Sequence, residues 1–394
     1  MLWINFLHFY QPANIDSFSV KQALTKSYFR LLRLMEEHKN LHMTWNITGC
    51  LLERLADEGE QDFLLRLKKI VESGRLELVS SAAFHGLLPL LPETEVIRQI
   101  KENEKILHKF LGLKNRPKGF FFPEMAYSPA VAKIVKRLGY RWIILDEISF
   151  AGGKSRPDFR RAYLDNNSGL TVIFRNRAYS NSYPPDKLIV ALSKEKINLT
   201  RPIITATDAE LYGLRHEDPS AELERVVKSK NLSTETISQF LGSIAKSGLV
   251  SFRPKASSWE SSHQELLKGQ VFRLWQDKKN KIHNQLWRLT DLAIAVGDKF
   301  PHDKNYRFYR WHLVRGIASC TFWWASARDF SKSFGPYAWS PDGIERGLED
   351  MIRAVRSLDD SKSRKYKLQA ESYYLKIKKL VWEEHWRKHW HRAV

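Results

Sequence analysis

The chain has 394 residues, 43% hydrophobic and 12% aromatic, with 64 Lys and Arg against 44 Asp and Glu, a formal net charge of +20. That balance excludes a disordered chain, and the length exceeds what one minimal core needs, so one large domain with an appendage, or two domains, is expected. Two cysteines, Cys50 and Cys320, make neither a disulfide framework nor a zinc ribbon.

Charge and hydropathy narrow the choice of partners. The apolar start Met1-Leu-Trp-Ile-Asn-Phe-Leu-His8 is too short for a signal peptide and lacks a basic lead. No run approaches the ~18 apolar residues of a membrane span. A soluble, cytoplasmic protein is expected, without a membrane partner. The basic excess favours acidic partners in general. It is spread along the chain, with one concentration at residues 361–394, which hold ten Lys and Arg and three Glu. Basic helix faces are ordinary solvated surfaces. No nucleic-acid module accompanies this one, so nucleic acid is not expected as a partner despite the charge.

In chain order, Leu2–Leu7 is the first strand, followed by a helix over Val20–His38 with Leu24, Tyr28, Leu31, Leu32 and Met35 spaced by three or four. Leu41–Trp45 is the next strand, with helices over Cys50–Asp57 and Asp62–Glu72 leading to the strand Leu76–Val79. A helix from Pro92 and Glu93 to Leu111 precedes Gly119–Phe122. A helix over Pro129–Leu138 precedes Trp142–Leu145. Leu170–Phe174, a helix over Pro185–Leu192 and Ile203–Ala206 close the series. Pro129 and Pro185 suit a first helical turn, where the missing N–H costs nothing. Alternating strands and helices imply a parallel sheet. About seven units predict an α/β fold of TIM-like barrel type, over residues 1–255. From Trp259 the pattern turns helical, with helices over Glu265–Asp277, Asn280–Val296, Tyr306–Ala325, Ile344–Arg356 and Lys365–Trp390. Residues 256–394 therefore read as a helical domain packed on the barrel.

Polar residues follow the apolar runs with regularity: His8, Asn46, His85, Glu124, Asp146 and Asp208. In a barrel of this type the C-terminal strand ends and their loops form the active face. Glu124 ends Gly119-Phe-Phe-Phe-Pro-Glu124 and Asp208 ends Pro202-Ile-Ile-Thr-Ala-Thr-Asp208. Two carboxyl groups, one per strand end, are what glycosidic bond cleavage requires. Taken singly, each also reads as a structural acid capping a turn. Trp323, Trp324 and Asp329 lie in the helical region, where a paired Trp serves packing as readily as a ligand.

The motifs resemble glycoside hydrolase family 57. His8-Phe-Tyr10-Gln11-Pro12 resembles its N-terminal motif, with Tyr10 in place of a His. Gly49-Cys-Leu-Leu-Glu53 resembles its second. Arg75-Leu-Glu77-Leu-Val with Phe84-His85-Gly resembles a further segment. Gly119-Phe-Phe-Phe-Pro-Glu124-Met-Ala resembles the nucleophile motif, with Phe121 where the family has Trp. Thr207-Asp208-Ala-Glu210-Leu-Tyr-Gly213 resembles the acid/base motif. Trp324 and Asp329 lie where the fifth motif would be.

The resemblance implies a seven-stranded (β/α) barrel followed by a helical region. It implies a retaining mechanism on α-glucans, by hydrolysis, 4-α-glucanotransfer or branching, with no required metal or other cofactor. Glu124 would be the nucleophile and Asp208 the acid/base. His8, Glu77 and Glu210 would hold sugar hydroxyls, and Tyr10, Gln11, His85, Phe121, Trp324 and Asp329 complete the substrate-binding set. Two other readings stay open. One is a metal-dependent mannosidase-like or deacetylase-like enzyme with His8, His85, Asp146 and Asp208 as ligands, although imidazole-rich sites usually have closer spacing. The other is a non-catalytic barrel that binds glycan or nucleic acid.

Overall fold

The structure is a computed structural model that describes residues 1–193, 201–244, 248–328 and 338–389. The chain divides into two compact units. The first contains Met1–Gln11, Ile15–Ala83 and Leu88–Leu266, and the second contains Pro12–Asn14, Phe84–Leu87 and Leu267–Val394.

In the first unit, seven parallel strands form a ring. They are β1 (Leu2–Phe9), β2 (Met43–Ile47), β3 (Leu76–Val79), β4 (Gly119–Phe120), β5 (Trp142–Asp146), β7 (Thr171–Arg175) and β8 (Ile203–Asp208). One sheet runs β3-β2-β1-β8, and the other carries β7-β5-β4. Ser80 bridges Phe120 in parallel, joining β3 to β4. The Asn176 N–H donates to the Ile204 carbonyl at 2.8 Å, joining the end of β7 to β8. All seven strand segments expected from the sequence are here, because each is a short apolar run buried on both faces. Three short strands lie outside the ring: β6 (Tyr163–Asp165), antiparallel to β7, with β10 (Val250–Phe252) on β6 and β9 (Ser233–Thr234) on β1.

Strand alternation decides what fills the ring. Ile4, Phe6, Val79, Phe121, Trp142, Ile144, Ile173, Ile204 and Ala206 form one buried cluster. Ile237 and Phe240 of the helix Ile237–Ile244 join that cluster. Burying each large side chain contributes about 1.5–3 kcal/mol. The run Phe120-Phe121-Phe122 divides accordingly. Phe121 packs on Phe6, while Phe120 packs edge-on against Phe122 and Tyr140. Gly119 is required beside them: a Cβ there would lie 2.2 Å from the Trp142 indole.

The first helical segment is not uniform. Ser17–Ala23 and Phe29–Glu37 flank a π-helical turn at Leu24–Tyr28. Asp16 caps its start, accepting from the Ser19 N–H at 2.8 Å. Ser128 caps Pro129–Arg137, with Pro129 in the first turn.

The second unit is helical, built from Lys281–Lys299, Tyr306–Gly316, Ser319–Trp323, Pro341–Ser357 and Arg364–Glu384. The expected helix over Tyr306–Ala325 is broken after Gly316. Ala318 is extended, with ψ 144°, and pairs with Gly86, while the Ser319 N–H donates to the His85 carbonyl at 2.9 Å. The expected helix over Glu265–Asp277 shortens to His263–Leu267, and Gly269 follows with φ 67°.

Candidate active site

Register brings the strand-end polar residues to one level. His8 of β1 lies opposite Asp208 of β8 and Asn46 of β2, and Asn46 opposite Val79 of β3. The Asn46 amide donates to the Val79 carbonyl at 2.8 Å, so its oxygen faces His8 Nδ1, also at 2.8 Å. That pair puts the proton of a neutral imidazole on Nδ1. Burial lowers the His8 pKa, and the nearby Asp208 only partly opposes it. The ring of Phe121 lies 4.8 Å from His8, and that of Tyr10 is stacked 5.9 Å away. Phe121 is thus a buried floor under His8, with protein rings against it.

Asp208 ends β8 and its Oδ2 is paired with Arg215 Nη1 at 2.8 Å. The loop returns at once: the Arg215 N–H donates to the Glu210 carbonyl at 2.8 Å. Gly213 makes the return possible, at φ 118° and with a Cβ position only 2.3 Å from the Lys26 carbonyl oxygen. The π-helical turn faces this loop. Ser27 Oγ donates to the Ala209 carbonyl at 2.5 Å, and the Tyr28 hydroxyl donates to Glu210 Oε1. Gln11 Nε2 donates to the same oxygen at 2.9 Å. Burial raises the Glu210 pKa; Arg215 opposes that rise and Asp208 adds to it.

Glu124 follows β4 in a tight turn, Pro123–Met125, with φ 60° and ψ 19°, and Met125 follows at φ 48°. Its Oε2 accepts from Trp259 Nε1 at 2.7 Å, and its carbonyl from the Trp259 N–H at 3.2 Å. Tyr127 and Ser257 exchange backbone bonds beside it. Residues 256–266 therefore pack with the first unit rather than with the helices after them.

Two arginines converge on the end of β5. Asp146 is fully buried. It accepts from the Ile148 N–H at 2.9 Å and from Arg175 Nε at 2.7 Å, and Arg177 Nε lies 2.6 Å from its other oxygen. Arg177 Nη2 donates to the Trp259 and Ser261 carbonyls at 2.6 and 3.0 Å. Asp146 is committed to two guanidinium groups, which removes it from the ligand set of the metal-dependent reading. Among the described residues, no three His, Cys, Asp or Glu side chains are grouped to hold a metal ion.

The remaining sequence candidates lie elsewhere. Glu77 is two residues before the end of β3, level with Thr44 and Phe6. It accepts from the Ser238 N–H at 2.9 Å and from the Ser238 hydroxyl, at the start of the helix Ile237–Ile244. It anchors that helix rather than joining the His8 level. His85 belongs to the second unit, at φ 56°, with Nδ1 2.8 Å from Ser319 Oγ. Trp324 is also there, edge-on to Trp323 and packed on Gly343. Asp329 lies outside the described residues.

Sequence reasoning missed Tyr28, Arg175, Arg177, Arg215 and Trp259 as site residues. Arg215 was within reach, seven residues past Asp208. Trp259 lies 135 residues past Glu124, and no local pattern points to such a contact.

A closed parallel ring with polar residues at its C-terminal strand ends has the architecture of a barrel enzyme. The model of glycosyl hydrolase family 57 matches residues 5–252. The match covers well over half of the chain, and the chain belongs to that family. An alpha-amylase of Pyrococcus horikoshii is 28% identical over 174 residues, which is 43% of this chain and 27% of that protein. A 4-alpha-glucanotransferase of Thermococcus litoralis is 23% identical over 282 residues, 67% of this chain and 42% of that protein. The matched stretches thus span only about a quarter to two-fifths of these curated relatives. The crystal structure of a branching enzyme from Thermococcus kodakaraensis covers 95% of both chains at TM-score 0.70 and 18% identity. That likeness supports a shared (β/α)7 fold. Among the described residues, no helix is long and apolar enough to cross a membrane.

Proposed function

We infer that the protein is a retaining enzyme of α-glucans, with Glu124 as nucleophile and Asp208 as acid/base. The observation that carries this reading is the pair of acids on one ring of parallel strands, Glu124 in the turn that follows β4 and Asp208 at the end of β8, with His8 opposite Asp208 and Glu210 two residues past it. In the first step a Glu124 oxygen bonds to the anomeric carbon. The bond from that carbon to the leaving oxygen breaks, and the leaving oxygen takes its electron pair and the Asp208 proton. In the second step Asp208 takes a proton from water or from a sugar hydroxyl, whose oxygen displaces Glu124. His8, held by Asn46 through Nδ1, stands opposite Asp208 on the neighbouring strand, where it would face the sugar at the cleavage point.

Relatives named as alpha-amylase, 4-alpha-glucanotransferase and branching enzyme support an α-glucan substrate. Incubation with maltoheptaose separates the outcomes. Shorter products alone indicate hydrolysis, and longer ones indicate transfer. Glu124→Gln and Asp208→Asn should each reduce turnover by several orders of magnitude while leaving the thermal midpoint nearly unchanged. Full activity in Glu124→Gln would refute the assignment.

A further inference from the structure

Glu124 and Met125 are consecutive non-glycine residues in the left-handed region, at φ 60° and 48°. Such a turn persists only where its surroundings over-determine it. Here one residue grips both ends of Glu124. The Trp259 N–H donates to the Glu124 carbonyl at 3.2 Å, and the Trp259 indole N–H donates to the carboxylate Oε2 at 2.7 Å. An indole N–H only donates, and its bond to the ionised carboxylate is stronger than to the neutral acid, so it favours the charged form. Trp259 is in turn held by Arg177. The guanidinium donates to the Trp259 carbonyl at 2.6 Å and to the Ser261 carbonyl at 3.0 Å. Arg177 is braced by buried Asp146 at 2.6 Å, and Asp146 is fixed by Arg175 and by the Ile148 N–H. The contacts run from the end of β5, through a residue just after β7 and Trp259, to the turn that follows β4.

We propose that Trp259 and Arg177 are positioning residues for the nucleophile. Trp259 fixes the orientation of the Glu124 carboxylate through its bond to Oε2. Arg177 fixes Trp259, and the buried Asp146 fixes Arg177. This rests on the reading of Glu124 as nucleophile and adds to it the device that aims the carboxylate. The geometry of attack is demanding: displacement of a reacting group by about 1 Å costs on the order of 100-fold in rate. Arg suits the central role because one guanidinium pairs by charge with Asp146 while its Nη2 donates to two carbonyls, which a Lys ammonium on a flexible stem does not reproduce.

Trp259→Phe keeps an aromatic ring and the backbone N–H and removes the donor to Oε2 together with part of the indole. On maltoheptaose, kcat should fall roughly 10- to 100-fold with KM changed little, because the lost bond orients the nucleophile rather than the sugar. The acid limb of the kcat/KM profile should move to higher pH, since a carboxylate that loses a donor is easier to protonate. Arg177→Lys should lower kcat in the same range. The double variant should fall no further than the worse single one, because both act through one carboxylate. A crystal structure of Arg177→Lys should have the Glu124 carboxylate and the Trp259 indole displaced together. Glu124→Gln, assayed in parallel, separates the two claims. If it retains activity, the nucleophile reading fails. If it is inactive while Trp259→Phe and Arg177→Lys keep wild-type kcat and an unmoved acid limb, the positioning role is overturned. An unshifted carboxylate in the Arg177→Lys structure overturns it without any assay.

Discussion

Two donors converge on Glu210 Oε1: the amide of Gln11 at 2.9 Å and the hydroxyl of Tyr28. Both groups are needed because Glu210 is 2% exposed, and a buried carboxyl group deprived of a donor bears the cost of its own desolvation. Tyr28→Phe changes nothing but that hydroxyl. It should lower the unfolding free energy by about 1–3 kcal/mol, read as a fall in the urea midpoint at constant slope. It should also push the Glu210 pKa further up, since the Tyr28 bond is one of the influences that lower it. An unchanged urea midpoint would mean that Gln11 alone satisfies the group. Gly213 is the second residue on which this loop depends. With φ 118° and the Lys26 carbonyl 2.3 Å from the Cβ position, Gly213→Ala combines backbone strain with a steric clash. It should cost at least about 1–3 kcal/mol and lower activity, because Asp208 and Arg215 lie on the two sides of the turn. A variant with wild-type stability would show that the loop can move off the Lys26 carbonyl without loss.

The helix Ile237–Ile244 is the element that the expected motif roles left out, and Glu77 explains how it is fixed. The carboxylate accepts from the N–H and the hydroxyl of Ser238 in the first turn, where the helix dipole favours an anion. Burial raises the Glu77 pKa and the Ser238 bonds oppose the rise. Glu77→Gln keeps an acceptor and sheds the buried charge, so it should be tolerated better than Glu77→Ala, which leaves the Ser238 N–H without its partner. Amide exchange across residues 237–244 should speed up in Glu77→Ala and stay near wild type in Glu77→Gln. Equal exchange in both would remove the anchoring role. In the second unit, the helix Lys281–Lys299 carries His283, fully buried between the Asp277 N–H, which donates to Nδ1 at 3.0 Å, and the Phe322 carbonyl, 2.9 Å from Nε2. Burial pushes its pKa down to about 4. The folded value lies below the unfolded one of about 6.5, so the unfolded chain binds the extra proton first. The stabilisation is complete above pH 6.5 and is lost as pH falls toward 4, at most about 3 kcal/mol for one such group. His283→Gln should flatten that part of the profile of urea midpoint against pH. An unaltered slope between pH 6.5 and 4 would assign the acid sensitivity to other groups.

Across the whole molecule, what the sequence discloses depends on the range of the interactions. All seven strands of the ring are legible as apolar runs, and Glu124, Asp208 and His8 as the polar residues that end them, because strand alternation and strand termination are local. Glu77 lies inside the run Leu76–Val79 rather than after it, and the register places it two residues short of the strand end, below the His8 level. Trp259 and Arg177 were not legible at all, since their meaning comes from loops 135 and 53 residues away from Glu124 in sequence. The break at Ala318 has the same origin: helical periodicity continues through it, and a backbone pairing with distant Gly86 overrides it. Net charge is also a property of the whole chain, and its effect can be argued from the ion pairs. Exposed pairs such as Lys304 with Asp359 at 2.8 Å and Arg356 with Glu371 at 2.6 Å use cations that have carboxylates to meet. The excess of twenty positive charges has no such complement within the chain. Its self-repulsion extends over about 30 Å at 0.01 M salt and over about 8 Å at 0.15 M. Screening weakens the pairs as well, but exposed pairs contribute only about 0–1 kcal/mol each, while the uncompensated charge acts over the whole surface. The thermal midpoint should therefore rise between 0.01 and 0.15 M sodium chloride at neutral pH, and should gain little more above 0.5 M, where the remaining repulsion is already screened. A midpoint that falls over the first interval would mean that the paired charges outweigh the excess.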